Sequence, residues 1–273
     1  MALGVHGLMV PRPPARHAFC SWDGPIAMAH RGFAAGPTDG VENTLPAFAA
    51  AVDLGYTFLE TDVRATADGV LVAFHDEHLD RVTDGHGDLS DLTWEQVRHL
   101  RVAGREGVPR LEDVLGRFPD ARFNLDVKTE AAVAGLGEVL RRTRAHGRVL
   151  VTAFGERRRR AALAAAGGRE ATSASSLGTA LALAGSTLHL PVLARCALGR
   201  VDAVQVPVRQ GGIDVVSARF VDTVHRAGAQ VHVWTVDDAA QIGALLDLGV
   251  DGIITDRADV LKDVLVARGE WRA

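Results

Sequence analysis

Gly55-Tyr56-Thr57-Phe58-Leu59-Glu60-Thr61-Asp62-Val63-Arg64-Ala65-Thr66-Ala67-Asp68-Gly69-Val70-Leu71-Val72-Ala73-Phe74-His75-Asp76 is the stretch on which the fold turns. Thr57 to Val63 reads as a strand, and side chains alternate along a strand, so Glu60 and Asp62 share one face. A carboxylate facing a layer of packed helices is costly unless paired. Both acids are therefore expected to point into the interior of a closed sheet. Val70 to Phe74 reads as a short returning strand that ends on His75-Asp76.

Working outward, short apolar runs alternate with helical spacing from Pro25 on. Ile26 to Ala29 is the first expected strand. Leu45, Phe48, Ala49 and Val52 follow i, i+3, i+4, i+7, with Asn43 or Thr44 as N-cap and Gly55 past the end. Further strands are expected at Phe123 to Val127, Val149 to Phe154, Ala203 to Val206, Gln230 to Thr235 and Gly252 to Thr255. Helices are expected at Leu111 to Phe118, Glu130 to Ala145, Ser217 to Ala227, Asp238 to Leu248 and Ala258 to Arg268. Between Gly167 and Arg200 the pattern weakens, with one firm helix at Ser176 to Ala184 and room for an eighth strand near Glu170 to Ser173. This alternation fits a (β/α)8 TIM barrel, for which about 250 residues is typical. A doubly wound open sheet is the structural alternative, and it is disfavoured because no Gly-x-Gly-x-x-Gly opens a helix. Residues 76–107 are too long for an ordinary loop and are expected as a small insertion, after the second strand, over the barrel mouth. The expected organisation is a flexible leader at 1–24 and one catalytic barrel domain at 25–273.

The 273 residues are 47% hydrophobic and carry a net charge of −4, enough for a large core and without the basic excess of a nucleic-acid surface. No apolar run approaches the roughly 20 residues needed to span a bilayer. Met1 to Val10 lack the basic start and continuous apolar stretch of a signal peptide. Cys20 and Cys196 lie far apart with no metal-ligand spacing, so both are expected reduced, in the cytoplasm.

Catalytic groups of such barrels sit where strands end, at the C-terminal face. His30 ends the first strand, Glu60 and Asp62 the second, Asp126 and Lys128 the third, and His75 the returning strand. Glu60, Asp62 and Asp126 could share one hard cation, Mg²⁺ or Ca²⁺. The alternative is that these acids pair with Lys128 or Arg31 and tie the barrel together. Histidines suit acid/base work near neutral pH, and arginine suits phosphate. Trp234, near the end of a late strand, could stack on substrate or fill the core. Glu156-Arg157-Arg158-Arg159-Arg160 reads as a solvated helix face.

Together, His30-Arg31-Gly32, Glu42-Asn43-Thr44, Glu60-x-Asp62-Val63, Thr66-x-Asp68-Gly69, His75-Asp76, Asp126-Val127-Lys128, Trp234-Thr235-Val236 and Gly249 to Asp256 resemble the glycerophosphodiester phosphodiesterase family. The resemblance spans about Pro25 to Leu265. It implies a (β/α)8 barrel, a divalent cation, and hydrolysis of glycerophosphodiesters to glycerol 3-phosphate and an alcohol. His30 and His75 match the family's acid/base pair, Glu60 and Asp62 its metal ligands, and Arg31 and Lys128 its phosphate-facing positions. Glu42 matches an acidic position supporting the metal and glycerol site, and Trp234 an aromatic position lining the pocket. The family's third-strand ligand is usually Glu. Asp126 is one methylene shorter, and reaches the ion through water or draws it aside.

The expected partner is a small-molecule diester, with no nucleic acid. Oligomeric state is not legible. The nearest rival is a lysophospholipase D, which would need an exposed apolar mouth within residues 76–107. That segment is rich in Asp, Gly and Arg, which favours soluble substrates. A barrel that binds phosphorylated metabolites without turnover would lack a histidine or the acid pair, and both are present.

Overall fold

In a computed structural model, which describes residues 11–273, eight parallel strands follow one another around a barrel. They are Ile26–Ala29, Phe58–Ala65, Arg122–Val127, Val149–Thr152, Ala171–Thr172, Ala203–Pro207, Gln230–Trp234 and Gly252–Thr255. The first strand pairs with both the second and the eighth. A single bridge from Ser173 to Ala203 closes the ring between the fifth and sixth, supported by Ala174 N–H donating to the Ala203 carbonyl at 2.9 Å. Leu71–Ala73 runs back antiparallel along the second strand, as its returning position demands.

The period of two divides the apolar residues into two cores. Leu59, Val63, Phe123, Leu125, Val127, Val149, Val151, Val231, Val233 and Ile253 face outward and pack with the helices. Ile26, Met28, Phe58, Leu150, Ala171, Ala203 and Ile254 face inward and fill the lower barrel. Glu60 and Asp62 are in register with Phe58 on the inward face, so the second strand carries its acids above the apolar floor.

Part of the expected flexible leader is packed. Phe19 and Cys20, in a one-turn helix at Ala18–Cys20, are buried against the inward core. Phe19 meets Phe58 edge to face, with ring centroids 5.3 Å apart. Arg122 donates to the carbonyls of Ala18, Phe19 and Ser21 at 2.8, 3.0 and 2.9 Å. The physical reason is the lower end of the barrel, where Ile26 and Phe58 would otherwise meet water. Residues 1–10 of that leader lie outside the described residues.

The 76–107 insertion forms with a small core of its own, in which Leu79, Leu89, Val97 and Val102 pack on Val41, Val72 and Phe74. Its one-turn α-helix, Trp94–Val97, opens with a capping box between Thr93 and Gln96. The weakly patterned region holds one helix more than expected. Ser176–Thr187 is followed by Pro191–Leu198, and the two pack closely where Gly185 lets the second backbone approach. No helix among the described residues is long and apolar enough to cross a membrane.

Candidate active site

The upper end of the barrel opens into a cavity of about 780 Å³. His30, Arg31, Glu60, Asp62, His75, Asp126, Lys128 and Trp234 all line it. Glu42 stands behind them, bonded to Arg31.

Local backbone conformation places the first of these. Arg31 (φ 54°) and Gly32 (φ 83°) turn through the left-handed region straight after the first strand. The turn aims the Arg31 N–H at Glu60 Oε2, at 3.1 Å. Only glycine fits next: a Cβ on Gly32 would lie 2.7 Å from the Ala47 carbonyl carbon. Asn43, also left-handed (φ 58°), donates through Nδ2 to Asp62 Oδ2 at 2.9 Å and accepts from Thr61 Oγ1 at 2.7 Å. Asp62 is thereby fixed from both its own strand and the first helix entry.

The three acids are deeply buried, with relative exposures of 5% for Glu60, 1% for Asp62 and 7% for Asp126. Lys128 Nζ bridges Asp62 Oδ1 at 2.9 Å and Asp126 Oδ2 at 2.5 Å. Arg31 contacts Asp62 through Nε at 3.2 Å and Glu42 through Nη1 at 2.8 Å. Burial pushes Asp62 upward, but Lys128 and Arg31 outweigh it and hold its carboxyl below the ordinary aspartate range. Glu60 fares the other way: burial and the neighbouring Asp62 charge push it up to about 7. Burial likewise raises Asp126, against the pull of Lys128.

The two histidines share an arrangement. His30 Nδ1 lies 2.7 Å from Asp256 Oδ1, and His75 Nδ1 lies 2.6 Å from Asp76 Oδ1. A carboxylate can only accept, so each Nδ1 carries the proton and each Nε2 is left as the basic nitrogen. His30 Nε2 is 3.8 Å from Glu60 Oε2. Burial lowers His30, but Glu60 and Asp256 more than compensate and its pKa is raised. Asp76 is in turn held by Arg81 of the insertion, through Nε at 2.5 Å and Nη2 at 3.1 Å. The same guanidinium reaches Glu42 at 3.0 and 2.7 Å.

Asp256 and Arg81 are site residues that motif reading left without a role. Asp256 directly follows the eighth strand, so the strand-end argument applied to His30 also points to it. Arg81 carries no such signal. At the other end of the cavity, Phe154 meets Trp234 edge to face with centroids 6.0 Å apart, and Lys128 Nζ lies 5.6 Å from the Phe154 ring.

Among the described residues no three His, Cys, Asp or Glu side chains are already gathered about one point. Lys128 and Arg31 lie between the acids instead, which is the ion-paired alternative set out above. The donor chemistry nevertheless fits a hard cation. All three acids offer oxygen. The buried Asp126 Oδ1 has no hydrogen-bond partner. Burial and the Asp62 charge raise the Glu60 carboxyl to about 7 despite His30, Lys128 and Arg31, so a bound cation would find a carboxyl there whose charged form it favours.

Residues 30–260 match the model of the glycerophosphoryl diester phosphodiesterase family. A probable glycerophosphodiester phosphodiesterase 2 of Mycobacterium tuberculosis is 45% identical over 257 residues, covering 93% of this chain and 95% of its own. A glycerophosphodiester phosphodiesterase of Caldanaerobacter subterraneus is 28% identical, covering 89% and 98%. The barrel is also similar to the solved structure of an Oleispira antarctica phosphodiesterase in complex with the product sn-glycerol-3-phosphate. There the TM-score is 0.73 and the identity 21%, with 89% of this chain and 97% of that one covered.

Proposed function

The chain belongs to the glycerophosphoryl diester phosphodiesterase family and is a glycerophosphodiester phosphodiesterase, and from that premise we propose that it uses a divalent cation and a pair of histidines to release glycerol 3-phosphate from a small-molecule diester. The observation that carries the reading is the matched pair of Nδ1–carboxylate contacts, which leaves two basic Nε2 atoms on histidines lining one cavity.

Glu60 and Asp62, with Asp126 beside them, would hold the ion, Mg²⁺ or Ca²⁺. Bound there, it would supply positive charge to the phosphate oxygens. Arg31 and Lys128 face the same phosphate and carry the rest of that neutralisation, since phosphoryl transfer depends mainly on positioning and electrostatics. Glu42 holds the Arg31 guanidinium in place. His30, whose pKa Glu60 and Asp256 raise against burial, takes the proton of the nucleophile, either water or the glycerol 2-hydroxyl. In the second case a cyclic phosphate forms first. His75 acts in its doubly protonated form: Nδ1–H stays on Asp76, the Nε2 proton goes to the departing alcohol oxygen, and the neutral ring is left behind. Trp234 lines the substrate's path. Two free cysteines support action in the cytoplasm.

The test is release of glycerol 3-phosphate from glycerophosphocholine and glycerophosphoethanolamine with Mg²⁺, Ca²⁺ or EDTA, beside His30→Ala. Metal-dependent release that the variant loses is the expected result. Release that survives EDTA, or that His30→Ala retains, overturns the cation or the histidine role respectively.

A further inference from the structure

Four consecutive strands each turn one uncharged polar side chain into the cavity. Asn124 lies two residues before Asp126 on the inward face of the third strand, in register with Glu60. Thr152 ends the fourth strand in register with Asp126, and Ser173 directly follows the fifth. Gln205 sits on the inward face of the sixth, between Ala203 and Pro207. All four line the cavity and form a polar arc of amide, hydroxyl, hydroxyl and amide. The two hydroxyls in the middle satisfy each other, with Thr152 Oγ1 and Ser173 Oγ 2.5 Å apart.

The ends of the arc are not satisfied. Asn124 is 2% exposed, and its Oδ1 is buried without a hydrogen-bond partner. Gln205 Nε2 is likewise buried and unpartnered. A buried acceptor or donor left empty is costly, and folded proteins rarely keep one without a use for it. Neither amide carries charge, so neither is built for a phosphate or an ammonium. A hydroxyl both donates and accepts, and so suits both ends of the arc. The glycerol of the diester brings two. Its C2 hydroxyl neighbours the ester carbon and stays with the phosphate near His30. Its C1 hydroxyl stands farthest from phosphorus and is free to turn to the buried amides.

We infer that Asn124 and Gln205 are specificity-determining residues that read the glycerol of the diester, its C1 hydroxyl donating to Asn124 Oδ1 and accepting from Gln205 Nε2. This rests on the proposed catalytic reading and adds to it how glycerol is told from a less hydroxylated alcohol. A substrate with a methyl group in place of the C1 hydroxymethyl would expel water from the arc and leave both amides unpaired. A site built to hydrogen-bond a hydroxyl rejects the analogue that lacks it.

The experiment measures kcat/KM, with Mg²⁺ or Ca²⁺ present, for glycerophosphocholine and for its 1-deoxy analogue. The analogue is the phosphocholine diester of propane-1,2-diol, with the C2 hydroxyl and its configuration kept. The native chain should prefer the parent by about 30-fold, the order set by leaving buried polar groups unpaired. Gln205→Leu should lower turnover of the parent far more than that of the analogue, and narrow the preference to about threefold as the unpaired donor disappears. Asn124→Leu should narrow it in the same way. Gln205 stands on a strand apart from the three acids, so its variant decides the matter if Asn124→Leu fails to fold. Equal turnover of the two diesters by the native chain overturns the inference and leaves the catalytic reading standing, with water alone filling the arc. A fall in both that keeps their ratio overturns it too, as a purely structural amide would give that result. Turnover of neither diester takes down both readings.

Discussion

Arg81 grips Glu42 with two nitrogens, Nη1 at 3.0 Å from Oε2 and Nη2 at 2.7 Å from Oε1. Its Nε and Nη2 also hold Asp76, at 2.5 and 3.1 Å, so one side chain of the insertion joins two supports of the site. Glu42 fixes Arg31, and Asp76 fixes His75. The insertion is therefore tied to the charge-bearing end of the cavity by a single fork.

Arg81→Met should then lower kcat/KM by about tenfold, the order expected when a charged hydrogen-bonded pair loses one partner. Arg81→Lys should recover only part of it, because an ammonium cannot reproduce four contacts made by a planar fork. Steady-state kinetics of both variants check this, with thermal unfolding alongside. Full recovery by Lys would show that charge alone matters at this position.

Asp256 stands to His30 as Asp76 stands to His75. Replacing it by Asn puts a donor where an acceptor was, which favours a proton on Nε2 and removes the basic nitrogen from the cavity. Asp256→Asn should lower kcat by about 100-fold with KM little changed, within the range that general acid/base groups contribute. A fall in kcat/KM arising from KM alone would show that Asp256 serves binding and not the orientation of His30.

Gly32 gives a stability prediction. Its φ of 83° and the 2.7 Å approach to the Ala47 carbonyl carbon leave no room for a methyl group. Gly32→Ala should cost about 2 kcal/mol in unfolding free energy, the order of a strained backbone position. It should also reduce activity, because the same turn aims Arg31 at Glu60. Denaturant unfolding and kcat/KM on the same preparation test the two effects together.

Most of this arrangement could be read before any coordinates, for a simple reason. Strand alternation is strict, so Glu60, Asp62, Asp126, His30 and Lys128 follow from their places at strand ends, and all line one cavity. The rest depends on contacts with no period. Arg81 lies in an irregular insertion, where no spacing says which charge faces the barrel. Phe19-Cys20 is too short an apolar run among prolines to reveal that it closes the barrel floor. The helix beginning at Ser176 is legible, but that Ser176, Thr179, Ala180 and Leu183 line the cavity is not, because which face turns inward depends on the following helix, Pro191–Leu198, which the weak pattern hid.

His232 tests the barrel interior independently of the chemistry. It is fully buried, its Nδ1 has no hydrogen-bond partner, and its Nε2 is 3.1 Å from Gln230 Oε1. Burial lowers its pKa from 6.5 to about 4. The folded chain thus binds this proton more weakly than the unfolded chain. The stability gained by keeping the imidazole neutral is fully present above pH 6.5 and is lost as pH falls from there through 4. A displacement of this size corresponds to about 3 kcal/mol. Unfolding measured from pH 7 to 4 should therefore fall more steeply for the native chain than for His232→Leu, which has no proton to gain. Parallel curves for the two would mean that the interior admits the charged imidazole, and that the floor formed by Phe19 and Cys20 does not keep water from it.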